Sequence, residues 1–525
     1  ILDKYDLDVW IWYPALDEDY TDPATEQFAL EEWEAVFEAL PRIDAILVPG
    51  GDPGQTPVKV MFPFLEKQAA ALKRHHPGAE MWMSPQGFTV EYMEQFYELV
   101  DEEPEWLGGI AVGPLVRDPL PRLRERLPAR YPIRRYPDIT HSLSSQYPVH
   151  EWDLAYALTQ HREVINPRPL AETAIFRKYD EATPNFLTYS EGVNDDVNKI
   201  VWSELGWNPE AAPDDTLRRY SRYFLGPQYT DTFAQGLLAL ERNWVGPLLT
   251  NHGVETTLQQ FQAMEKGASP QDLLNWRFQQ GLYRAYYDAY TRRRLAYETG
   301  LEDEALEELR AARSLGSLRA MERAERVLEK AVTEPVAQPL RQRVFELAEA
   351  LYQSIRMQLD VERYQAISVR RGANLANIDV RLNDRLWLEA QFARIRGMGE
   401  ETVRLAAILA LLDWTNPGPG GFYDDLGQVA AQPHLVPGKS YDEDPQYFES
   451  PQVAFGGGVC PTSHRLSWCR LVDGAYGHEV RMRYSHLDPE GAYRVRLVYA
   501  GRLAVQDYEI ADRSLQGTPV MVRLT

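Results

Sequence analysis

From the start of the chain to about residue 200, short apolar runs alternate with stretches whose apolar residues recur every three or four positions. The runs at 9–13, 45–49, 80–84, 109–113, 133–136 and 186–189 are bounded by Pro, Gly or polar residues, as buried strands are. The stretches 26–40, 57–75, 90–100 and 120–127 carry helical periodicity. Strand–helix alternation predicts parallel βαβ units in an α/β fold. Several strand ends run directly into polar loops, among them Pro49-Gly50-Gly51-Asp52-Pro53-Gly54, Tyr136-Pro137-Asp138-Ile139-Thr140-His141 and Thr188-Tyr189-Ser190-Glu191-Gly192-Val193-Asn194-Asp195-Asp196. Polar loops at the C-terminal strand ends are where a (β/α)8 TIM-type barrel builds its site. Six strands are visible against the eight of a closed barrel, so the first two βα units are expected upstream of Ile1. An opening on Ile rather than Met, with an apolar run almost at once and no basic-then-apolar leader, fits that expectation.

Beyond about residue 215 the periodicity becomes helical, at 229–249, 270–299, 301–315, 339–359 and 385–412. Runs such as Glu302-Asp303-Glu304-Ala305-Leu306-Glu307-Glu308 read as the solvated face of a helix. The segment 315–324 shows no repeat of fixed period, which argues for a bundle rather than a solenoid. Asn416-Pro417-Gly418-Pro419-Gly420-Gly421 stops the helices. Further on, 480–484 and 493–500 alternate with a period of two around Asp488-Pro489-Glu490-Gly491, the pattern of a hairpin. The expected organisation is an N-terminally incomplete barrel at 1–214, an α-helical bundle at 215–415, a Pro/Gly/Asp-rich connector at 416–450 and a β-rich domain at 451–525.

The charge balance, 55 Lys+Arg against 78 Asp+Glu for a net −23, argues against a nucleic-acid partner, because phosphate contacts need clustered cations. No stretch approaches the roughly 20 apolar residues of a spanning helix, so membrane insertion is not expected. Cys460 and Cys469 are the only cysteines, too few for a disulfide framework or a Cys-rich metal site. They are either bridged across a hairpin in an oxidising compartment or free buried thiols. The 13 Trp and 29 Tyr supply aromatic faces that either fill cores or stack on sugars. Neither a Gly-x-Ser-x-Gly elbow nor a His-Glu-x-x-His helix occurs, and no Lys follows Gly50-Gly51 in phosphate-loop spacing. No cofactor and no metal is expected.

Three loops carry the candidate chemistry. Asp52 follows two glycines at a strand end, where it either points into the barrel mouth or bonds its own turn. Asp138 and His141, three apart, form an acid/base pair, a substrate clamp or a metal site that lacks a third ligand nearby; a turn with a helix cap is the plainer alternative. In the last loop Asn194 or Asp195 is expected to cap the following helix, and the helix dipole accounts for Asp195 and Asp196 in its first turn. Glu191, before a glycine at the strand end, has no such explanation and is preferred as the functional carboxylate. Trp12 and Tyr13 after the first strand, Gln86 in Ser84-Pro85-Gln86-Gly87-Phe88, and His141, Tyr189 and Asn194 are candidates for the aromatic platforms and polar clamps of a sugar pocket. Trp10 and Trp12 are two apart and share a strand face, with Tyr13 on the other.

On these segments the chain resembles the retaining exo-glycosidases built on (β/α)8 barrels with a following helical domain. The nearest resemblance is to glycoside hydrolase family 84, the β-N-acetylglucosaminidases and O-GlcNAcases, with the family 20 hexosaminidases and the α-glucuronidases of families 67 and 115 beside it. It covers about the first 230 residues: 8–14 looks like the third barrel strand, 43–54 the fourth, 106–114 the sixth with its Gly-Pro ending, and 133–141 the seventh. The resemblance implies two adjacent carboxylates after the fourth strand, whereas Asp52 stands alone between Gly51 and Pro53. A pair drawn from separate loops is expected instead. The expected function is a glycoside hydrolase acting at a chain end of a poly- or oligosaccharide, periplasmic or secreted. Asp52 and Glu191 would be the catalytic pair, with Asp138 and His141 orienting the sugar or Asp138 replacing one of them. The alternative is a non-catalytic carbohydrate-binding protein that keeps the barrel and has lost one carboxylate.

Overall fold

In the computed structural model, residues 2–51, 54, 56–180, 183, 185–455, 460–474 and 479–492 are described. Asp52 and the expected strand at 493–500 lie outside the described residues. The chain divides into two compact units, one of Ile1–His141, Ser145–Tyr147 and Ala171–Ala211, the other of Ser142–Ser144, Pro148–Leu170 and Ala212–Thr525.

The apolar runs of the first unit form a parallel sheet whose strands follow chain order: β1 (Trp10–Trp12), β2 (Ala45–Pro49), β3 (Glu80–Ser84), β4 (Leu107–Val112) and β5 (Ile133–Arg135). Helices α1 (Pro23–Ala39), α2 (Val58–His75), α3 (Val90–Asp101) and α4 (Leu120–Arg126) connect them in succession. β2 is buried at every position, as expected of a parallel strand covered on both faces. α1 starts where Asp22 accepts the Ala24 and Thr25 amides and Pro23 supplies the first-turn φ, and α3 where Thr89 accepts Tyr92 N–H. Past β5 the chain stays extended. Arg135 and Asp138 bridge in parallel to Phe186 and Tyr189, so the sixth apolar run lies along the far side of β5 without forming a full ladder.

The alternation of strand side chains sorts the unit's residues onto two faces. One face packs Ile46, Val48, Met81, Met83, Ile110 and Val112 against the helices. The other carries Trp10, Ala45, Leu47, Trp82, Ala111 and Leu187. On it Trp10 and Trp82 lie 5.2 Å apart, the Arg134 guanidinium sits 4.0 Å over Trp10, and Trp82 Nε1 donates to Glu80 at 2.7 Å. Gly109 is required because Trp82 crosses β4 there, and a Cβ would fall inside its ring. Gly113 plays the same part for Tyr136, whose ring lies 2.7 Å from where a Cβ would stand.

The second unit is mainly helical. The expected helices at 270–299 and 301–315 are largely one, Trp276–Arg310, begun by the Asn275 cap and carried through Gly300. A separate short turn, Pro270–Leu273, is set off by a Ser269–Asp272 capping box. The expected helix at 385–412 is instead two, Arg385–Arg396 and Glu401–Leu412, parted around Gly397 and Gly399, where the missing side chains weaken helix continuity. Residues 317–333 form a helix whose Ala320, Met321, Ala324, Val327 and Leu328, at three- and four-residue spacing, pack into a core with Trp387 and Phe392. Pro451–Phe455 pairs antiparallel with Arg470–Gly474, and a Cys460–Cys469 disulfide closes the loop between them. In the expected hairpin segment 480–484, Met482 bridges to Leu435, so its described partner is the connector. Among the described residues no helix is long and apolar enough to cross a membrane.

Candidate functional site

The loop after β5 turns back on itself at Asp138. Its carboxylate accepts the Thr140 and His141 amides, each at 3.1 Å, and the His141 ring at Nδ1, 2.7 Å away. Gln146 closes the turn from the other side, its Oε1 accepting Asp138 N–H at 3.0 Å. Both Asp138 and His141 are buried. Burial pushes the Asp138 carboxyl up, but the His141 hydrogen bond and charge and the two amides outweigh it and hold the group below the ordinary aspartate value. A carboxylate at Nδ1 fixes the ring's orientation and directs Nε2 outward. Nε2 lies 4.0 Å from a Glu191 carboxylate oxygen.

Glu191 comes from the neighbouring extended segment. Tyr189, two residues before it, donates its phenol to the Glu191 carboxylate. The Tyr189 ring stacks on His141 at 5.7 Å and meets Tyr136 edge-on, also at 5.7 Å. Burial, followed by the charge of neighbouring carboxylates, pushes both phenols well above the ordinary tyrosine value, so each stays a donor near neutrality. The Glu191 side chain is 26% exposed, against 3% for His141 and 1% for Asp138. Glu191 is therefore the carboxylate of this cluster that solvent and a ligand reach.

Behind Glu191 stands Asp195, fully buried. Thr140 donates its hydroxyl to Asp195 and accepts the Glu191 amide at 3.1 Å. Ser190 donates to Asp195 at 3.0 Å, and Lys199 Nζ lies 2.9 Å from it while also donating to the Gly192 carbonyl. Burial lifts the Asp195 carboxyl above the ordinary value, against the pull of these donors. The capping role expected of Asp195 is not what the structure has. It occupies the N-cap position of the helix Asp196–Trp207, but its side chain makes no capping bond. The carboxylate turns toward the strand ends because Thr140, Ser190 and Lys199 supply stronger or charged donors there.

The remaining candidates separate by strand face. Trp12 is 42% exposed, on the face that carries Trp10 and Trp82. Tyr13 does not join it: the ring is buried 3.9 Å from Trp33 of α1, in the helix-side core. Alternation accounts for this, since Tyr13 follows Trp12 and points to the opposite side. Gln86 is buried in the loop after β3, where its backbone carbonyl accepts Gly51 N–H at 2.6 Å. Asn194 sits in the short turn Val193–Asp195, and its Nδ2 has no hydrogen-bond acceptor among the described residues. Sequence reasoning overlooked Thr140 and Lys199. The signal for Lys199 was its position four residues after Asp195, which puts opposite charges on one helix face. Nothing local marks the Thr140 hydroxyl, because Glu191 and Asp195, which it joins, lie 51 and 55 residues away.

No family model matches the chain, and neither a curated protein nor a solved structure matches it.

Proposed function

We propose that this chain is a glycoside hydrolase acting at a chain end of a poly- or oligosaccharide, its parallel sheet forming part of a (β/α)8 barrel like that of family 84 and its relatives in families 20, 67 and 115. The observation that carries the reading is the Glu191 carboxylate. It is the accessible acid of a cluster gathered just beyond the C-terminal ends of parallel strands, where such sheets place their ligand sites. Tyr189 donates to it, His141 lies 4.0 Å away, and Tyr189 and Tyr136 offer aromatic faces of the kind that sugars stack on.

Most glycosidases work with two carboxylates flanking the scissile bond, one giving a proton to the leaving oxygen and the other acting as nucleophile or base. Glu191 supplies one. Asp138 is committed to His141 and two amides, which supports a role in orienting the imidazole rather than in contacting the sugar. Asp195 lies beneath the surface. Asp52, which follows β2 in the sequence, is left as the second carboxylate. The Cys460–Cys469 bridge supports a periplasmic or secreted setting, where disulfides persist.

The test is product release from a panel of poly- and oligosaccharides by the unaltered protein and by Glu191→Gln and Asp52→Asn. Each substitution is expected to lower turnover by about 10²–10⁴-fold, the range for loss of a positioned acid or base. Near-normal turnover in both variants would sink the assignment. Calorimetric binding of a glycan that is never cleaved would favour the carbohydrate-binding alternative.

A further inference from the structure

Three consecutive residues around the proposed reacting carboxylate are tied to one buried group. Ser190 donates directly to Asp195 at 3.0 Å. The Glu191 amide is held at 3.1 Å by the Thr140 hydroxyl, whose own proton goes to Asp195. The Gly192 carbonyl accepts from Lys199, which is ion-paired to Asp195 at 2.9 Å. A threonine hydroxyl has a single proton. Because Thr140 accepts from Glu191, it satisfies that amide and Asp195 together only by donating toward the carboxylate. Gly192 has φ +148°, a conformation side-chain-bearing residues rarely adopt, so this turn is not one the backbone would hold unaided. Asp195 stands at the N-cap position of the helix Asp196–Trp207, yet its carboxylate makes no capping bond and turns to these donors instead.

We infer that Asp195 is a positioning residue. Through the Thr140 hydroxyl, and with Lys199 as its counter-charge, it fixes the backbone at Glu191 and thereby aims that carboxylate. The catalytic half of this inference rests on Glu191 being the reacting carboxylate, as proposed above; the backbone half does not. The loop that carries the Thr140 hydroxyl is held in turn by Asn198, whose Nδ2 donates to the Ile139 carbonyl at 2.9 Å.

The experiment compares Thr140→Val, Thr140→Ser and Asp195→Asn in the full chain by two readouts. The first is amide hydrogen exchange at Glu191. The second is kcat and KM on a panel of 4-nitrophenyl glycosides, with Glu191→Gln alongside. Thr140→Val is expected to speed Glu191 exchange by about tenfold, the worth of one ordinary hydrogen bond. It should lower kcat by up to about 10²-fold with little change in KM, as misplacement of a reacting group does. Thr140→Ser, which keeps the hydroxyl, should restore both. Asp195→Asn should move both in the same direction as Thr140→Val and replaces that variant if it does not fold. Unchanged exchange at Glu191 in Thr140→Val and Asp195→Asn overturns the inference, as does a change that Thr140→Ser fails to rescue. Full hydrolysis by Glu191→Gln overturns the reading of the site instead, and the exchange result still decides whether Asp195 holds the turn.

Discussion

Replacing Asp138 by Asn removes one charge and almost no volume, and the surroundings of that side chain set what the change costs. The carboxylate accepts three hydrogen bonds, from the Thr140 and His141 amides and from His141 Nδ1, and is 1% exposed. An asparagine oxygen keeps the amide bonds only as neutral ones, about half as strong as their charge-assisted counterparts. Its NH₂ group meets Nδ1 as a donor, so Nδ1 must accept and the ring proton must sit on Nε2, the nitrogen facing Glu191. With bonds to charged groups at about 1.5–3 kcal/mol and neutral ones at about 0.5–1.5 kcal/mol, the first unit loses about 2–4 kcal/mol at pH 7. Asp138→Ala costs more, because two buried amides then lack an acceptor at about 1–3 kcal/mol each.

The loss also carries a pH signature. The folded pKa of Asp138 lies below its unfolded value, so its contribution is fully present above the unfolded pKa of about 3.9 and disappears as pH falls through the folded one. The gap between the unaltered protein and Asp138→Asn should therefore close as pH falls below about 4. Urea unfolding, followed by hydrogen exchange of β4 peptides so that the first unit is read alone, measures it. Ring ¹⁵N shifts of His141 report the tautomer. Equal stability at pH 7, or a gap that does not close in strong acid, would refute the account of Asp138 as the charge beneath the imidazole.

Three further outcomes are expected in the second unit. Arg284 and Asp288 form a buried pair at 3.2 Å, so Arg284→Met should cost about 3–5 kcal/mol by leaving an uncompensated carboxylate. Burial already lifts Asp288 above its ordinary value, so urea melts should show that loss shrinking at low pH, where the group takes up a proton. Glu302 is pushed up to about 7 by burial and then by Asp384. A raised folded pKa gives stability that is full below the unfolded value and is lost as pH rises through about 7; calorimetry at pH 8 should therefore find Glu302→Gln about 1–2 kcal/mol more stable than the parent, with the advantage gone at pH 4. The Cys460–Cys469 bridge spans nine positions, and the double Ser variant should lose about 2.5 kcal/mol on the chain-entropy account, read from Trp468 fluorescence in urea.

How far the fold could be read depended on whether a signal was local. β2 and β3 coincide with their apolar runs because buried parallel strands are continuous in hydrophobicity and Pro or Gly ends them sharply. The helix Ser317–Thr333 is not among the helical stretches expected from the sequence, although Ala320, Met321, Ala324, Val327 and Leu328 recur every three or four positions and are buried. Trp276–Arg310 runs on through Gly300, where the sequence predicts a break between 270–299 and 301–315, and Leu301, Ala305 and Leu309 are buried immediately beyond it. Packing on those residues offsets a propensity cost of about 1 kcal/mol.

The site divides along the same line. Asp138 and His141 are three residues apart and contact one another directly, so spacing was enough to pair them. Glu191 is preferred in the sequence because it lacks a capping explanation, and in the structure its side chain is 26% exposed. Asp195 was misread by the same argument. A first-turn aspartate has a ready local role, but a side chain takes whichever donors are strongest within reach, and here they stand on the adjoining strand end and one helical turn ahead. What separates a cap from a positioning group is therefore the direction of the carboxylate, which parallel pairing of Asp138 with Tyr189 sets by bringing Thr140 beside the 190–192 turn. A one-residue slip in that pairing would move the Thr140 hydroxyl off the Glu191 amide, so the register of a short strand end controls the aim of the accessible acid.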